Sequence, residues 1–370
     1  MTERRLSAIV LAAGEGTRMH STRPKSLHLL AGRAMLQYVL DSLADCSTGQ
    51  VVVVVGHGAE RVTKKLQAAE PDLQLTFVEQ HAQLGTGDAA SVGLTGLPDD
   101  DGPDEDDHDV LVLPGDMPLL RPATIAELVA IHRHTDAACT VLTARVPDPG
   151  SYGRVVRGKD DQVVRIVERA DASPEELAID EINTAVYCFR RSVLAPALRR
   201  LDPDNAQGEY YLTDVVAVLR EAGYRVGALT VDDAAEGEGI NDRLQLAAAE
   251  AEIRRRTNER WLRAGVALVD PASTYLDATV TLGHDVTLFP GTILQGSTAI
   301  GAGAEIGPHT RLVDCVVGAG AVVEQSNGRD AEIGAEARVG PFASLAPGAS
   351  VPEGTVTGAF YAAAGPDDAD

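Results

Sequence analysis

Lysine is nearly missing from this chain of 370 residues: Lys25, Lys64, Lys65 and Lys159 are the only four, and arginine carries the remaining side-chain positive charge. Aromatic residues are scarce at 4%, so a core must be built from alanine, valine, leucine and isoleucine. Positive charge is short as well, with a formal net charge of −23. That balance excludes a nucleic-acid partner, because a phosphate backbone needs a basic face. A phosphorylated small substrate remains compatible, since a few local cations outweigh the global field at close range. Cys46, Cys139, Cys188 and Cys315 are too dispersed for a metal-ligand spacing or a disulfide framework. They are expected to be buried free thiols in a reducing cytoplasm. No apolar run is long enough for membrane insertion. The first strand begins within six residues of the N-terminus, leaving no room for a signal peptide, so a cytoplasmic location is expected.

What the chain does have is a glycine-rich turn. Leu11-Ala12-Ala13-Gly14-Glu15-Gly16-Thr17-Arg18-Met19, with Pro24-Lys25 beyond it, follows the apolar run Leu6 to Val10. Two glycines two residues apart let backbone N–H groups approach a phosphate without an intervening Cβ. Arg18 and Lys25 bring cations to the same loop. A lysine retained in an arginine-dominated chain suggests that a compact point charge is required there. Gly-x-Gly after a strand is by itself an ordinary turn. A dinucleotide fingerprint fails at its third glycine, where Met19 stands, and a Walker-type loop fails for want of Gly-Lys-Ser/Thr.

Along the first part, strand-like runs at Leu6–Val10, Val51–Val55, Leu75–Val78, Val110–Leu113, Cys139–Arg145 and Ile182–Phe189 alternate with helix-like ones at 34–45, 59–69, 86–94 and 123–132. Val51–Val55 is a continuous β-branched run, suited to a strand buried on both faces of a parallel sheet, and the other strand runs read the same way. The order predicts a doubly wound α/β, Rossmann-like domain. It places Asp116, within Gly115-Asp116-Met117-Pro118, just past a strand's carboxyl end, where such sheets bind ligands. The acidic run Asp99–Asp109 is expected to be a solvated surface loop, because like charges repel and nothing apolar anchors them. Residues 242–264 lack Gly and Pro and read as a long connecting helix. Then Leu282, Leu288, Leu294, Ile300, Ile306 and Leu312 recur every six residues; the series resumes at Val317 and Val323, and again at Ile333, Val339, Leu345 and Val351. A six-residue period fits a short hexapeptide β-helix with one inward aliphatic residue per face. The organisation expected is a nucleotide-binding domain over 1–241, a helical linker over 242–265, a β-helix over 266–360 and an acidic tail over 361–370.

The full string Leu-x-Ala-Gly-x-Gly-Thr-Arg-Met-x5-Pro-Lys resembles the signature of sugar-1-phosphate nucleotidyltransferases. Gln80 with Gln83–Gly87, Gly115–Leu119, Ser151–Arg154, Ile166–Glu168, Glu181–Thr184, Ala206–Asp214 and Gly239–Arg243 continue the resemblance. It extends to the bacterial bifunctional family that acetylates glucosamine-1-phosphate and uridylates the product. The resemblance implies a Mg²⁺-dependent uridylyltransferase taking UTP and N-acetylglucosamine-1-phosphate. The attacking phosphate oxygen is already anionic, so such a reaction needs positioning and charge stabilisation rather than a general base. Leu11, Ala12, Ala13 and Gly14, with Gly16 and Arg18, would form the phosphate cradle. Lys25 would balance phosphate charge, and Asp116, after Pro114 and Gly115, would ligate Mg²⁺. The resemblance adds Asn241 as second metal ligand, and Gln80, Gly85 and Thr86 as uracil contacts. It also implies Gly153, Glu168 and Asn183 as contacts to the sugar, a left-handed hand for the β-helix and homotrimers formed through it. Tyr210, Tyr211 and Asp214 read as packing and capping for a following helix.

The C-terminal part departs from the family. Ala346 stands where the family has a substrate-binding arginine, Ala364 stands near a lysine position, and nothing in the chain matches the histidine region. His284 and His309 read as turn residues. Loss of acetyl transfer is therefore expected. Two alternatives stand beside this reading: another sugar-1-phosphate or nucleoside triphosphate, and a non-catalytic trimeric scaffold or regulatory homologue.

Overall fold

The computed structural model describes residues 4–68, 73–98, 108–159 and 161–364. They form two compact units. The first comprises residues up to His28 together with Ala34–Leu246; the second comprises Leu29–Arg33 and residues from Ala247 on.

The first unit is wound around a nine-stranded sheet. Its strands are β1 (Arg5–Ala12), β4 (Gln50–Val55), β5 (Gln74–Glu79), β6 (His108–Pro114), β7 (Cys139–Arg145), β8 (Arg154–Arg157), β9 (Val163–Val167), β10 (Glu181–Arg190) and β11 (Val226–Val231). The two-residue strands β2 (Leu29–Leu30) and β3 (Arg33–Ala34) pair separately. The spatial order is β11-β7-β10-β6-β1-β4-β5, with β8 beside β10 and β9 beside β8. Alternate residues of each central strand enter opposite cores. Ile9, Val52, Val112 and Phe189 pack on one face under α3 (Thr86–Leu94), α6 (Arg191–Leu198) and α7 (Asp214–Glu221). Val10, Val53, Leu111 and Cys188 pack on the other, under α1 (Met35–Ala44), α2 (Ala59–Gln67) and α4 (Pro122–His134). A strand covered on both faces has no polar side to show, which is why these strands read as unbroken apolar runs.

One strand differs from expectation. β10 pairs antiparallel with both β6 and β7, whereas β1, β4, β5 and β6 are mutually parallel and β11 runs parallel to β7. The sheet is therefore mixed. A doubly buried apolar run looks the same in either direction, so its sequence cannot report polarity. β10 also bulges between Asn183 and Val186, with Ala185 at a φ of +61°. The expected helices and strands are present with ends shifted by up to two residues, and α7 is the helix expected to follow Tyr211; β8, β11 and α6, together with the short helix α5 (Pro174–Leu177), carry no expectation from the sequence.

The acidic run needs a correction at its end. His108 and Asp109 are buried and begin β6. Asp109 is 0% exposed; Arg133 Nε donates to it at 2.8 Å and His132 Nε2 stands 3.5 Å away. Burial alone would raise its pKa, but hydrogen bonds and charge from His132 and Arg133 outweigh this and hold the carboxyl below its ordinary value. Residues 99–107 lie outside the described residues. Cys139, Cys188 and Cys315 are buried free thiols, while Cys46 is only half-buried.

The second unit begins in α8 (Arg243–Arg263) and continues as stacked two- and three-residue strands in three parallel sheets. One sheet aligns Leu268, Leu288, Ile306, Val323 and Val339; another aligns Leu276, Leu294, Leu312, Gly328 and Leu345; the third aligns Leu282, Ile300, Val317, Ile333 and Val351. These residues fill one continuous core, with Leu282 at its margin. The step in the hexad series after Val323 is occupied by Gly328. A Cβ there would lie 3.1 Å from Leu312 Cδ2 and 3.3 Å from Cys315 Sγ, so neighbouring side chains occupy the space of the missing aliphatic. Ala362–Ala363 pair with Ser344–Leu345, so the ordered coil extends past residue 360. His284 and His309 sit in a turn and a bend.

Candidate active site

β1 and β6 are neighbours whose connections leave in opposite directions, and their carboxyl ends open a crevice at this switch point. Leu11 pairs with Pro114 in register, and Gly115 N–H donates to Leu11 O at 2.9 Å. The glycine loop and Asp116 are thereby set side by side. A cavity of about 330 Å³ lies here, lined by Leu11–Gly14, Lys25, Gln80, Gly85, Thr86, Pro114–Asp116, Glu168 and Asn183. Gln83, Tyr187, Glu209 and Thr213 also line it.

Gly16 shapes the loop in two ways. Its φ is +66°, and a Cβ would lie 2.6 Å from Lys25 Cβ. Lys25 can therefore pack across the turn and reach into the cavity. Its Nζ forms a short ion pair with Asp116 Oδ2 and donates to Asn241 Oδ1 at 2.8 Å. Asn241 reaches this point on a strap, Gly239–Asn241, fastened to Asp116. Ile240 N–H donates to Asp116 O at 3.0 Å, and Gly239 N–H donates to the Tyr152 hydroxyl oxygen at 3.2 Å. A carboxylate and an amide oxygen thus converge on one cation, the ammonium. Two hard oxygen donors of this kind fit a divalent metal that completes its shell from phosphates and water. No group of three or more His, Cys, Asp or Glu poised for a metal occurs among the described residues, so a protein-only cage is not offered.

One side of the cavity is built by the Gln80–Asp88 segment. Gln80 is only 5% exposed, and its Nε2 donates to Asp88 Oδ2 at 2.8 Å and to Gly85 O at 3.2 Å. Gln83 Nε2 donates to Ala13 O at 2.9 Å, tying this segment to the glycine loop. Thr86 Oγ1 accepts from Leu212 N–H at 3.0 Å, and Gly87 N–H donates to Tyr210 O at 2.7 Å.

Across the cavity, the β10 bulge presents Asn183. Its Oδ1 accepts from Ala185 N–H at 3.1 Å and its Nδ2 donates to the Tyr187 hydroxyl at 2.9 Å, which fixes the amide. Gly153 O accepts from Asn183 N–H at 2.9 Å. Gly153 itself lies against Glu168, where a Cβ would stand 3.4 Å from Oε2. Burial pushes the Glu168 carboxyl above its ordinary range, and Asp214, Asp171 and Glu209 add to the rise, partly offset by the Thr213 hydroxyl at 3.2 Å.

The sequence-predicted residues therefore gather in one place with one exception. Arg18 stands exposed on the turn Thr17–Met19, outside the cavity lining; Gly153 and Asn241 are outside it as well but touch the lining residues Glu168 and Lys25. Sequence reasoning missed Asp88, Tyr152, Tyr187 and Thr213, although each sits inside or beside a quoted motif. Tyr210 and Tyr211 were read as packing, and the backbone of Tyr210 does serve the turn at Gly87.

Residues 8–223 match the model of the MobA-like NTP transferase domain. The chain is 47% identical over 331 residues to the bifunctional protein GlmU of Mycobacterium sp. (strain KMS), covering 89% of this chain and 65% of that protein. It is 44% identical over 357 residues to the bifunctional protein GlmU of Bifidobacterium longum subsp. infantis, covering 96% of this chain and 76% of the relative. The chain belongs to the GlmU family. It is also 47% identical over 328 residues to the family member from Thermobifida fusca, covering 89% of this chain and 67% of that relative. The chain thus spans under two thirds of the length of the mycobacterial family member. No helix among the described residues is long and apolar enough to cross a membrane.

Proposed function

We propose that the first unit transfers a uridylyl group from UTP to N-acetylglucosamine-1-phosphate, giving UDP-N-acetylglucosamine and pyrophosphate, a cytoplasmic step in cell-wall precursor synthesis. The observation that carries this reading is the convergence of Lys25, Asp116 and Asn241 beside the glycine loop, in the crevice that also holds Gln80, Glu168 and Asn183. The sugar phosphate oxygen bonds to the α-phosphorus as the bond to the bridging oxygen breaks, and pyrophosphate leaves with that electron pair. No side chain has to remove a proton, so the residues act by placement and charge. Backbone N–H groups of residues 11–14 cradle the triphosphate, and Lys25 offsets its growing negative charge. Mg²⁺, when held by Asp116 and Asn241, supplies further neutralisation of phosphate charge. The Gln80 amide oxygen accepts from a base N–H, while Glu168 accepts from sugar hydroxyls and Asn183 and Gly153 meet the acetamido side.

A panel of triphosphates and sugar-1-phosphates, assayed for pyrophosphate release, tests this. UTP with N-acetylglucosamine-1-phosphate and Mg²⁺ is the pair expected to turn over fastest, and EDTA should abolish release. Equal turnover with dTTP and glucose-1-phosphate would overturn the substrates but keep the class; silence across the panel would leave the scaffold alternative.

For the second unit, the proposal is a homotrimer without acetyl transfer. Ala346 offers a methyl group where the resemblance puts a substrate-binding arginine, and Ala364 does so near a lysine position. Light scattering at micromolar concentration should give the mass of three chains. Thiol release from acetyl-CoA that depends on glucosamine-1-phosphate would contradict the loss of that activity.

A further inference from the structure

Gln80 is a primary amide, and an amide can face a ligand with either its oxygen or its nitrogen. Which end faces the cavity decides what base edge can bind. A base with N–H at the recognised ring position, such as uracil, needs the oxygen. A base with a bare ring nitrogen there, as in cytosine, needs the nitrogen. Two groups hold the Gln80 amide, and neither can donate: the Asp88 carboxylate at 2.8 Å and the Gly85 carbonyl at 3.2 Å. Both bind Nε2. Turning the amide over would set Oε1 against two acceptors, one of them an ionised carboxylate, in a place where Gln80 is 5% exposed. The Gly85 carbonyl is itself held in place. A Cβ on Gly85 would lie 2.6 Å from Tyr210 O, and Gly85 has a φ of +111°. Asp88 lies in the first turn of α3, where a carboxylate also complements the helix dipole. The dipole accounts for an acid in that turn, but not for its oxygen being spent on Gln80.

We infer that Asp88 is a positioning residue for nucleobase choice: it locks the Gln80 amide with its oxygen toward the cavity, so the site takes a pyrimidine bearing a ring N–H and refuses one without it. The inference rests on the proposed uridylyl transfer and goes past it in assigning the discrimination to a residue outside the cavity lining. The Asp88–Gln80 bond is charge-assisted, so losing it should cost roughly tenfold or more in discrimination.

The experiment compares kcat/KM for UTP and for CTP in the wild type, Asp88→Ala and Asp88→Asn. Asp88→Ala should lower the UTP-to-CTP ratio by about tenfold, chiefly through a higher KM for UTP, with kcat for UTP little changed. Asp88→Asn keeps an acceptor for Nε2 and should retain most of the ratio, although it lacks the charge that favours the helix dipole. Should Asp88→Ala fail to fold, Asp88→Leu fills similar volume without an acceptor and carries the same comparison. A wild-type ratio in Asp88→Ala, or a fall in kcat shared equally by both nucleotides, would overturn the inference while leaving uridylyl transfer standing. A wild type with no preference for UTP would overturn the base assignment and this inference with it.

Discussion

Both units bury aliphatic side chains between hydrogen-bonded strands, but the cavity beside the glycine loop, where Lys25, Asp116 and Asn241 converge, belongs to the first. In the repeat unit each coil resembles the next. Where the series skips, at Gly328, the side chains of Leu312 and Cys315 take up the space. In the first unit the regular pattern is broken at three places that meet: the positive-φ turn at Gly16, the bulge in the antiparallel β10, and the strap Gly239–Asn241 laid on Asp116. Repetition satisfies backbone groups in register and leaves little for a ligand. Interruption leaves side chains aimed at a common point, and the proposed chemistry is placed there.

The sharpest way to break this comparison is to remove charge from the interrupted region. Asp116→Ala should lower turnover by about 10³-fold, the upper range for one preorganised electrostatic group, with a melting temperature near wild type. Retained turnover would mean that the crevice is not where the chemistry occurs. The opposite signature belongs to the repeat unit. Leu294→Ala empties a fully buried position and should cost about 2–5 kcal/mol of stability, while the folded variant keeps wild-type kcat. A change in kcat without a change in denaturation midpoint would blur the division drawn here. Lys25→Ala should reduce turnover by roughly 10²-fold; an increase in KM alone would reassign Lys25 from charge stabilisation to plain binding.

The smallest effect concerns Glu168. Its folded-state pKa is raised, chiefly by burial. The folded protein thus holds this proton more tightly than the unfolded chain does. Stability from this group is full below the ordinary carboxylate range and is lost as pH climbs through the raised folded value. Glu168→Gln should therefore raise the melting temperature slightly at pH 7 and hardly at all at pH 4, while weakening sugar-phosphate binding. Equal stabilisation at both pH values would show that burial of the charge is not the cause.

The repeat unit was the more legible of the two, because one aliphatic residue every six positions is a signal each coil renews. Its gap at Gly328 was silent, since a glycine at an inward position has no apolar signature. In the first unit the strand runs and the residues of the glycine loop were readable. The direction of β10 was not, because a strand buried on both faces carries no mark of polarity. Local charge density misplaced Asp109, whose partners Arg133 and His132 arrive from a helix more than twenty residues further on. Asp88 was hidden for a related reason: an acid in the first turn of a helix already has an ordinary explanation, and its hydrogen bond to Gln80 exists only once β5 and α3 are folded against each other. The strap could be placed on the site only by resemblance, because no local pattern tells Asn241 that Asp116 is its neighbour.

That strap also sets a schedule. Residues 11–25 leave the ribosome early and Asp116 follows, but the pair Lys25–Asp116 gains Asn241 only after β7, β10 and β11 have been synthesised. At about 5–20 residues per second, many seconds separate the first half of the site from its last member. A nascent chain can hold a nearly complete sheet and still lack the oxygen donor that finishes the crevice. With Asn241 in its proposed role, catalytic competence is tied to the end of the domain's synthesis, and fragments released before residue 241 would be folded in large part yet idle.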